Sequence, residues 1–176
     1  AGTRLFQEIQ RFADTTPFSD PAAFQGAERL LNFGFQVGDV IPLMRQLGDA
    51  VGGNEERFMR ASIALGQMHA KGRASMEEIN PLTEAGIPAF TILAEKLGLS
   101  QKQMQNLGAQ GIESGRAIQA LLQGMGERFG GGMERQAQTQ GGLWSNLIAA
   151  QQRLFAVWGE GLAPLTKTIL RDLIDG

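Results

Sequence analysis

The sequence contains neither cysteine nor tyrosine, and its only histidine is His69. Without cysteine the chain can form no disulfide and no thiolate zinc site, and one histidine is too few for a multi-histidine metal centre. The 16 basic and 18 acidic residues give a formal net charge of −2, and neither sign is concentrated in one segment. The sequence therefore lacks the basic surface typical of nucleic-acid-binding proteins and of helices that lie on anionic membranes. We predict no cofactor, no metal and no nucleic-acid recognition site.

Long apolar runs are also missing. No run approaches the roughly 20 residues that span a bilayer, and the first residues lack the hydrophobic core of a signal peptide. We therefore predict no transmembrane segment. The chain begins at Ala1 without a methionine and stops at Gly176, just beyond an apolar stripe, so we expect it to be a piece of a longer protein.

What the sequence does have is a dense series of helix signals. Hydrophobic residues make up 43% of the 176 positions, which is enough for one domain with a core. The segment Ala64–Pro88 is typical, because its short apolar stretches have helical spacing and are stopped by glycine. No segment shows sustained period-two alternation, so no strand is predicted. The pattern predicts an all-α fold, a multi-helix orthogonal bundle of short helices with a longer C-terminal helical arm.

Several residues mark where these helices begin. Asp20-Pro21 is a helix start in which Asp20 caps and proline loses no hydrogen bond. Asn54 is predicted to cap the helix that follows it. Ser75–Glu78 and Ser100–Gln103 match the capping box, in which two side chains satisfy free backbone donors. The predicted stops are the glycines Gly34, Gly52, Gly53, Gly72, Gly86, Gly98 and Gly108.

The C-terminal part of the chain differs from the rest. Glycine clusters at Gly130–Gly132 and Gly141–Gly142 favour a loop or a hinge, although a short helix between them stays open. The sequence thus divides into a helical core domain (1–130), a glycine-rich hinge (131–142) and an amphipathic arm (143–176). Pro164 is expected to kink or restart the arm. The arm has apolar residues on one helical face, namely Leu143, Leu147, Leu154, Trp158, Leu162, Leu165, Ile169 and Leu173.

The arm also carries the candidate contacts to partners. Both tryptophans lie in it, and buried aromatic side chains often dominate protein interfaces. We expect the arm either to lie back on the core or to pair with another chain, which includes self-association. The candidate partner contacts are Trp144, Trp158, Leu162, Leu165, Ile169 and Leu173.

Three motifs that could belong to a catalytic or ligand-binding site have simpler structural explanations. Glu113-Ser114 resembles the catalytic start of lytic transglycosylases, in which a glutamic acid protonates a glycosidic oxygen. The segment expected downstream in those enzymes does not follow, and Ser114 is better explained as a helix cap. His69 lies one turn before a predicted helix end, where a partly exposed histidine is favoured by the helix dipole. The glycine-rich stretches Gly124–Gly126 and Gly130–Gly132 follow helical patterns and lack the lysine of a phosphate-binding loop.

A set of short pieces, taken in order, resembles the conserved domain of phage tail tape-measure proteins. Each piece alone is weak, and their order and spacing make the match specific. They lie between residues 14 and 165. The pieces are Thr16-Pro17-Phe18, Leu30 with Phe33-Gly34, Leu47-Gly48-Asp49, Ala64–Met68, Lys71-Gly72, Leu82–Pro88, Leu97-Gly98, Gly111-Ile112, and Gly132-Met133 with Gln138-Thr139 and Gly142.

The resemblance implies a structural virion component rather than an enzyme. Members of the family run inside the growing tail, where their length sets the tail length, and they leave during DNA ejection. The resemblance also implies contacts with tail-tube proteins, tail-tip or baseplate proteins and tail assembly chaperones. The implied location is the virion tail, with assembly in the host cytoplasm. The alternatives that stay open are a peptidoglycan-cleaving domain that uses Glu113 and a helical adaptor module unrelated to phage.

Overall fold

The structure, a computed structural model, describes residues 2–100, 103–104, 111–138, 147–151 and 153. The chain divides into two compact units, residues 1–136 and 137–176. The elements of the first unit, in chain order, are α1 (Gly2–Thr15), α2 (Asp20–Asn32), α3 (Val37–Ala50), α4 (Glu55–Lys71), β1 (Arg73–Ala74), α5 (Met76–Glu84), α6 (Ala89–Leu97), β2 (Ile112–Glu113), α7 (Ser114–Phe129) and α8 (Gly132–Ala137), whose last residue begins the second unit.

The predicted all-α class is confirmed, with one correction. Two residues of β1 pair antiparallel with two residues of β2, so that Arg73 faces Glu113 and Ala74 faces Ile112. The prediction of no strand was wrong because a two-residue strand is too short to show alternation. The backbone hydrogen bonds between β1 and β2 join segments that lie far apart in the sequence. The pairing ties the end of α4 to the start of α7.

Local capping signals place most of the helix starts correctly. The side chain of Asn54 accepts a hydrogen bond from the Arg57 N–H at 2.9 Å. Both halves of the Ser75 capping box are present, and Ser100 and Gln103 exchange reciprocal hydrogen bonds. The stop glycines that the structure describes have positive φ, as left-handed helix ends require: Gly34, Gly52, Gly53, Gly72, Gly86 and Gly98.

The predicted cap at Asp20 was wrong by one residue. Ser19 has extended backbone geometry, and its hydroxyl accepts from the Ala22 N–H, whereas Asp20 is already helical. Serine and aspartate are about equally good caps, so the choice depends on where the preceding connection turns. That turn is set by a distant contact, because the Ser19 N–H donates to the Glu55 carboxylate at 2.7 Å.

The core of the first unit is built around α4. This helix packs against α2, α3, α5 and α7, and its Phe58 and Leu65 are fully buried. The Phe18 ring lies 5.5 Å from the Phe12 ring and 4.7 Å from the Phe58 ring, measured between centroids. These aromatic contacts join α1, the connection to α2, and α4 in one hydrophobic cluster.

Helices α6 and α7 cross closely because a glycine lies at their contact. A Cβ atom on Gly124 would lie 2.3 Å from Cγ2 of Ile92, closer than any real carbon contact. An ion pair between Lys96 and Glu127 joins the same two helices at their surface. A residue with a side chain at position 124 would therefore push the helices apart.

The glycine-rich region begins as an anchored helix. The Asp49 carboxylate accepts hydrogen bonds from the Gly131 N–H at 3.1 Å and the Met133 N–H at 3.0 Å. Met133 is buried, and Gly132 lies directly against the Asp49 carbonyl. The first part of the segment thus packs on α3. Residues 139–142 lie outside the described residues, and the division into core, hinge and arm stays a prediction.

Candidate functional site

A cleft opens between α3 and α7 in the first unit, with a volume of about 310 Å³. One wall is a single face of α3, since its residues are spaced three, four and seven positions apart. The opposite wall is a face of α7 with similar spacing, and the two helices pack against each other directly. The lining residues of α3 are Asp39, Pro42, Leu43 and Gln46, and those of α7 are Gly115, Ile118 and Leu122.

The third side of the cleft is aromatic. His69, in the last turn of α4, and Phe35, in the connection between α2 and α3, both line it. Their rings stack with centroids 4.2 Å apart and planes 18° apart. His69 is half-buried beside the helix end, as the sequence predicts. Its contact with Phe35 depends on how α3 and α4 pack, which the sequence pattern does not reveal.

Two polar groups break the apolar lining. The Gln46 Oε1 atom is buried and accepts no hydrogen bond from the part of the chain that the structure describes. Asp39 is exposed, and its carboxylate forms no ion pair with any described residue. A buried acceptor without a donor is costly, by about 1–3 kcal/mol. The cleft therefore offers a ligand one buried acceptor without a donor, Gln46 Oε1, and one exposed carboxylate, Asp39.

Glu113 does not have the environment of a catalytic acid. Its carboxylate accepts hydrogen bonds from the backbone N–H groups of Arg116 and Gly115, both at 2.8 Å. These bonds lower the pKa of Glu113, whereas a general acid for glycoside hydrolysis needs a raised pKa. Glu113 is the N-cap of α7. The prediction that Ser114 caps this helix was wrong by one position, because the longer glutamate side chain reaches the free N–H groups from residue 113.

A buried carboxylate lies between α4 and α5. The Glu78 side chain is fully buried and bonds to Lys71 at 2.5 Å and to the Ser75 hydroxyl at 2.7 Å. Burial alone raises the pKa of Glu78, but the hydrogen bonds from Lys71 and Ser75 outweigh it and hold the pKa below its ordinary value of 4.5. Hydrogen bonds to Glu77 and Glu78 raise the pKa of Lys71. Both carboxylate oxygens of Glu78 have hydrogen-bond partners, so the Lys71–Ser75–Glu78 cluster stabilises the contact between α4 and α5.

Neither a phosphate loop nor a metal centre is found in the described part of the chain. Two of the backbone N–H groups in the Gly130–Met133 stretch already bond to Asp49. Among residues 2–100, 111–138 and the shorter described stretches, no histidine and acidic side chains group as metal ligands. None of the described helices is long and apolar enough to cross a bilayer.

The predicted partner contacts cannot be compared with the structure. Trp144, Trp158, Leu162, Leu165, Ile169 and Leu173 all lie outside the described residues, so their roles stay predictions. From the apolar stripe of the arm, Leu147 is described. It belongs to the helical stretch 147–151 and is 57% exposed, next to Ile148 at 41%.

Comparison with known proteins decides the family. The family model described as "Tape measure protein" matches residues 1–159. The chain belongs to the tape measure protein family. A curated relative, the "Mu-like prophage FluMu protein gp42" of Haemophilus influenzae, is 33% identical over 142 residues. This match covers 79% of the tape measure chain and 22% of the relative, so the chain spans about a fifth of that protein's length. No solved structure matches the chain.

Three of the pieces that carry the family resemblance meet at one packing junction, namely Thr16-Pro17-Phe18, Leu47-Gly48-Asp49 and Gly132-Met133. In this tape measure chain, Gly48 lies directly against the Phe18 ring and the Met133 sulfur. Asp49, the next residue, holds the start of α8. Gly53 packs on Pro17. These contacts therefore join α3, α8 and the connection between α1 and α2, which is a structural role.

Proposed function

We propose that this chain is a structural module of a longer phage or prophage tape measure protein. It acts in tail assembly, tail-length determination and DNA ejection, and it has no catalytic role. The family match over residues 1–159 carries the proposal. The prophage relative, of which the chain spans 22%, supports a place within a longer protein. The family supports a location in the virion tail, and we propose that assembly takes place in the host cytoplasm.

Within that protein the module is an attachment body and not the ruler itself. A continuous helix extends by about 1.5 Å per residue, so residues 1–138 would span about 200 Å as one helix. Among the helices described in the first unit, α4 is the longest with 17 residues, and the helices fold back on one core. A folded body of this kind offers surfaces to other proteins. Its proposed partners are tail-tube proteins, tail-tip or baseplate proteins and tail assembly chaperones.

Deleting the module tests this role. The codons for residues 1–138 are removed in frame from the full-length gene in its prophage, and induced particles are examined by electron microscopy. We expect tails to be absent or incomplete, because an attachment body is lost. An equal deletion in another part of the same gene is the control for length. Complete tails shortened by about 200 Å, as 1.5 Å per deleted residue requires, would instead make the module part of the ruler.

The arm is proposed to associate with other chains through its apolar stripe. The exposed Leu147 and Ile148 support this. This association is tested by size-exclusion chromatography with light scattering. The full chain is compared with a chain that ends at residue 142. We expect the full chain to form oligomers and the shortened chain to be monomeric. The same oligomeric state for both would remove this role from the arm.

A further inference from the structure

We propose that the cleft between α3 and α7 binds the side chain of an arginine that a partner polypeptide presents. All residues that line the cleft belong to the first unit. Its volume of about 310 Å³ is at the lower limit of the range for ligand pockets, about 300–1,000 Å³. That space suits one long side chain and its neighbour, and it is too small for a whole helix.

The lining matches the two chemical parts of an arginine. Pro42, Leu43, Ile118 and Leu122 supply an apolar surface, against which the aliphatic stem of a long basic side chain packs well. The polar groups on α3 present two kinds of acceptor oxygen, the unpaired Gln46 Oε1 and the Asp39 carboxylate. A guanidinium has five N–H donors in a planar fork and no acceptor. It is therefore complementary to this lining both in shape and in charge.

One buried acceptor and one nearby charge in the cleft favour such a group. Gln46 Oε1 is buried and finds no donor among the described residues. Asp39 lies seven residues earlier on the same helical face and adds a negative charge at the cleft. A neutral donor would gain only the hydrogen bond to Gln46, whereas a cationic donor also gains from the negative charge of Asp39. Hydrogen bonds between charged groups are roughly twice as strong as neutral ones.

The aromatic side favours arginine over lysine. The stacked rings of His69 and Phe35 line the cleft, and a guanidinium stacks on an aromatic face while it keeps its in-plane hydrogen bonds. The ammonium of lysine is more strongly hydrated and has no plane to stack. That the arginine belongs to a polypeptide depends on the proposed function, since an attachment body meets other proteins. The chemistry of the cleft itself does not depend on it.

Small probes test the chemistry directly on the full chain. Butylguanidinium reproduces the arginine side chain, butylurea is its neutral counterpart of the same shape, and pentanoate is an anion of similar size. Binding is followed by NMR at pH 8, through the resonances of His69, Leu43 and Ile118. We expect saturable shifts with butylguanidinium, and binding at least about tenfold weaker with butylurea and pentanoate, because charged hydrogen bonds are lost.

Three variants locate the site. Gln46→Met removes the buried acceptor at nearly constant volume, and Asp39→Asn removes the charge. Each is expected to weaken butylguanidinium binding by about fivefold or more. Glu28→Gln removes an exposed acid on α2, outside the cleft, and is expected to leave binding unchanged. Thermal unfolding confirms that each variant is folded.

The outcomes separate this proposal from the function of the whole protein. No saturable shift, equal binding of butylurea, or equal loss in the Glu28→Gln variant would overturn the arginine site. If butylguanidinium binds as expected and the deletion phage still builds complete tails, the attachment function fails and the cleft chemistry stands. If the probe does not bind and the deletion phage lacks tails, the function stands and its partner meets another surface.

Discussion

The Asp49 carboxylate and the Met133 backbone N–H, 84 residues apart in sequence, form a hydrogen bond of 3.0 Å. The second carboxylate oxygen accepts a hydrogen bond from the Gly131 N–H. One side chain thus satisfies two backbone donors at the start of α8. The negative charge also lies at the positive end of the helix dipole. A single acidic residue on α3 thus fixes where α8 begins.

Replacing Asp49 by asparagine should destabilise this junction. The amide retains one acceptor and turns an NH₂ group towards the other backbone donor. We expect the free energy of unfolding to fall by about 1–3 kcal/mol, measured by urea denaturation. Hydrogen exchange at the Gly131 and Met133 amides should accelerate more than at core amides. Glu134→Gln, at an exposed position of α8, is the control, and equal effects of the two variants would contradict this account.

Alanine substitutions at two glycines of α7 should change the stability of the protein in opposite directions. Gly124→Ala places a methyl group on Ile92, and we expect it to destabilise the protein by about 1–3 kcal/mol through overpacking. Gly126 is exposed, and its added Cβ would meet nothing within 4 Å. Gly126→Ala should therefore stabilise the helix by about 0.5–1 kcal/mol. Thermal and urea unfolding of both variants measure this difference. A change of the same sign in both variants would show that the α6–α7 contact tolerates a methyl group at position 124.

The buried Glu78 should make stability depend on pH. Its pKa is lower in the folded state than the ordinary value of 4.5, so its contribution is present above that value and is lost as pH falls through the folded pKa. Glu78→Gln should cost about 1–3 kcal/mol at pH 7, and the gap to wild type should narrow towards pH 3. Glu77→Gln removes an exposed partner of the same lysine, and we expect a change within about 0.5 kcal/mol. A constant gap across this range would refute the linkage.

Glu113 should matter for helix α7 and not for catalysis. Glu113→Gln is expected to lower the melting temperature, because the Gly115 and Arg116 N–H groups bond to different carboxylate oxygens. The amide keeps one acceptor oxygen and turns an NH₂ group towards the other N–H. Neither wild type nor variant should release soluble fragments from purified peptidoglycan. Clear release by wild type that is lost in the variant would establish the enzymatic alternative.

Short-range signals in the sequence predict much of this fold, because caps, stops and helical stripes act over a few residues. Asn54, Ser75 and Gly72 behave as predicted for that reason. The sequence pattern does not reveal features that depend on distant partners. The β1–β2 pairing and the Asp49 contact join segments that only the folded chain brings together.

The same limit applies to buried residues in the connections and to the cleft. Phe18 and Ile87 are fully buried, yet they lie between helices, where a 3.6-residue period does not apply. Gln46 would be assigned to the surface from its polarity. The burial of its Oε1 atom follows from how α3 meets α7, and no local pattern encodes that meeting.

The attachment of α8 to Asp49 has a mechanical consequence. Tension carried along the backbone past Ala137 enters the first unit at α8. The two bonds to one carboxylate and the seated Met133 side chain therefore carry the load first. Separation of α8 from α3 would lengthen the polypeptide under tension while the contacts of α4 with its neighbours stay intact. This junction would therefore yield first and protect the helical core from unfolding.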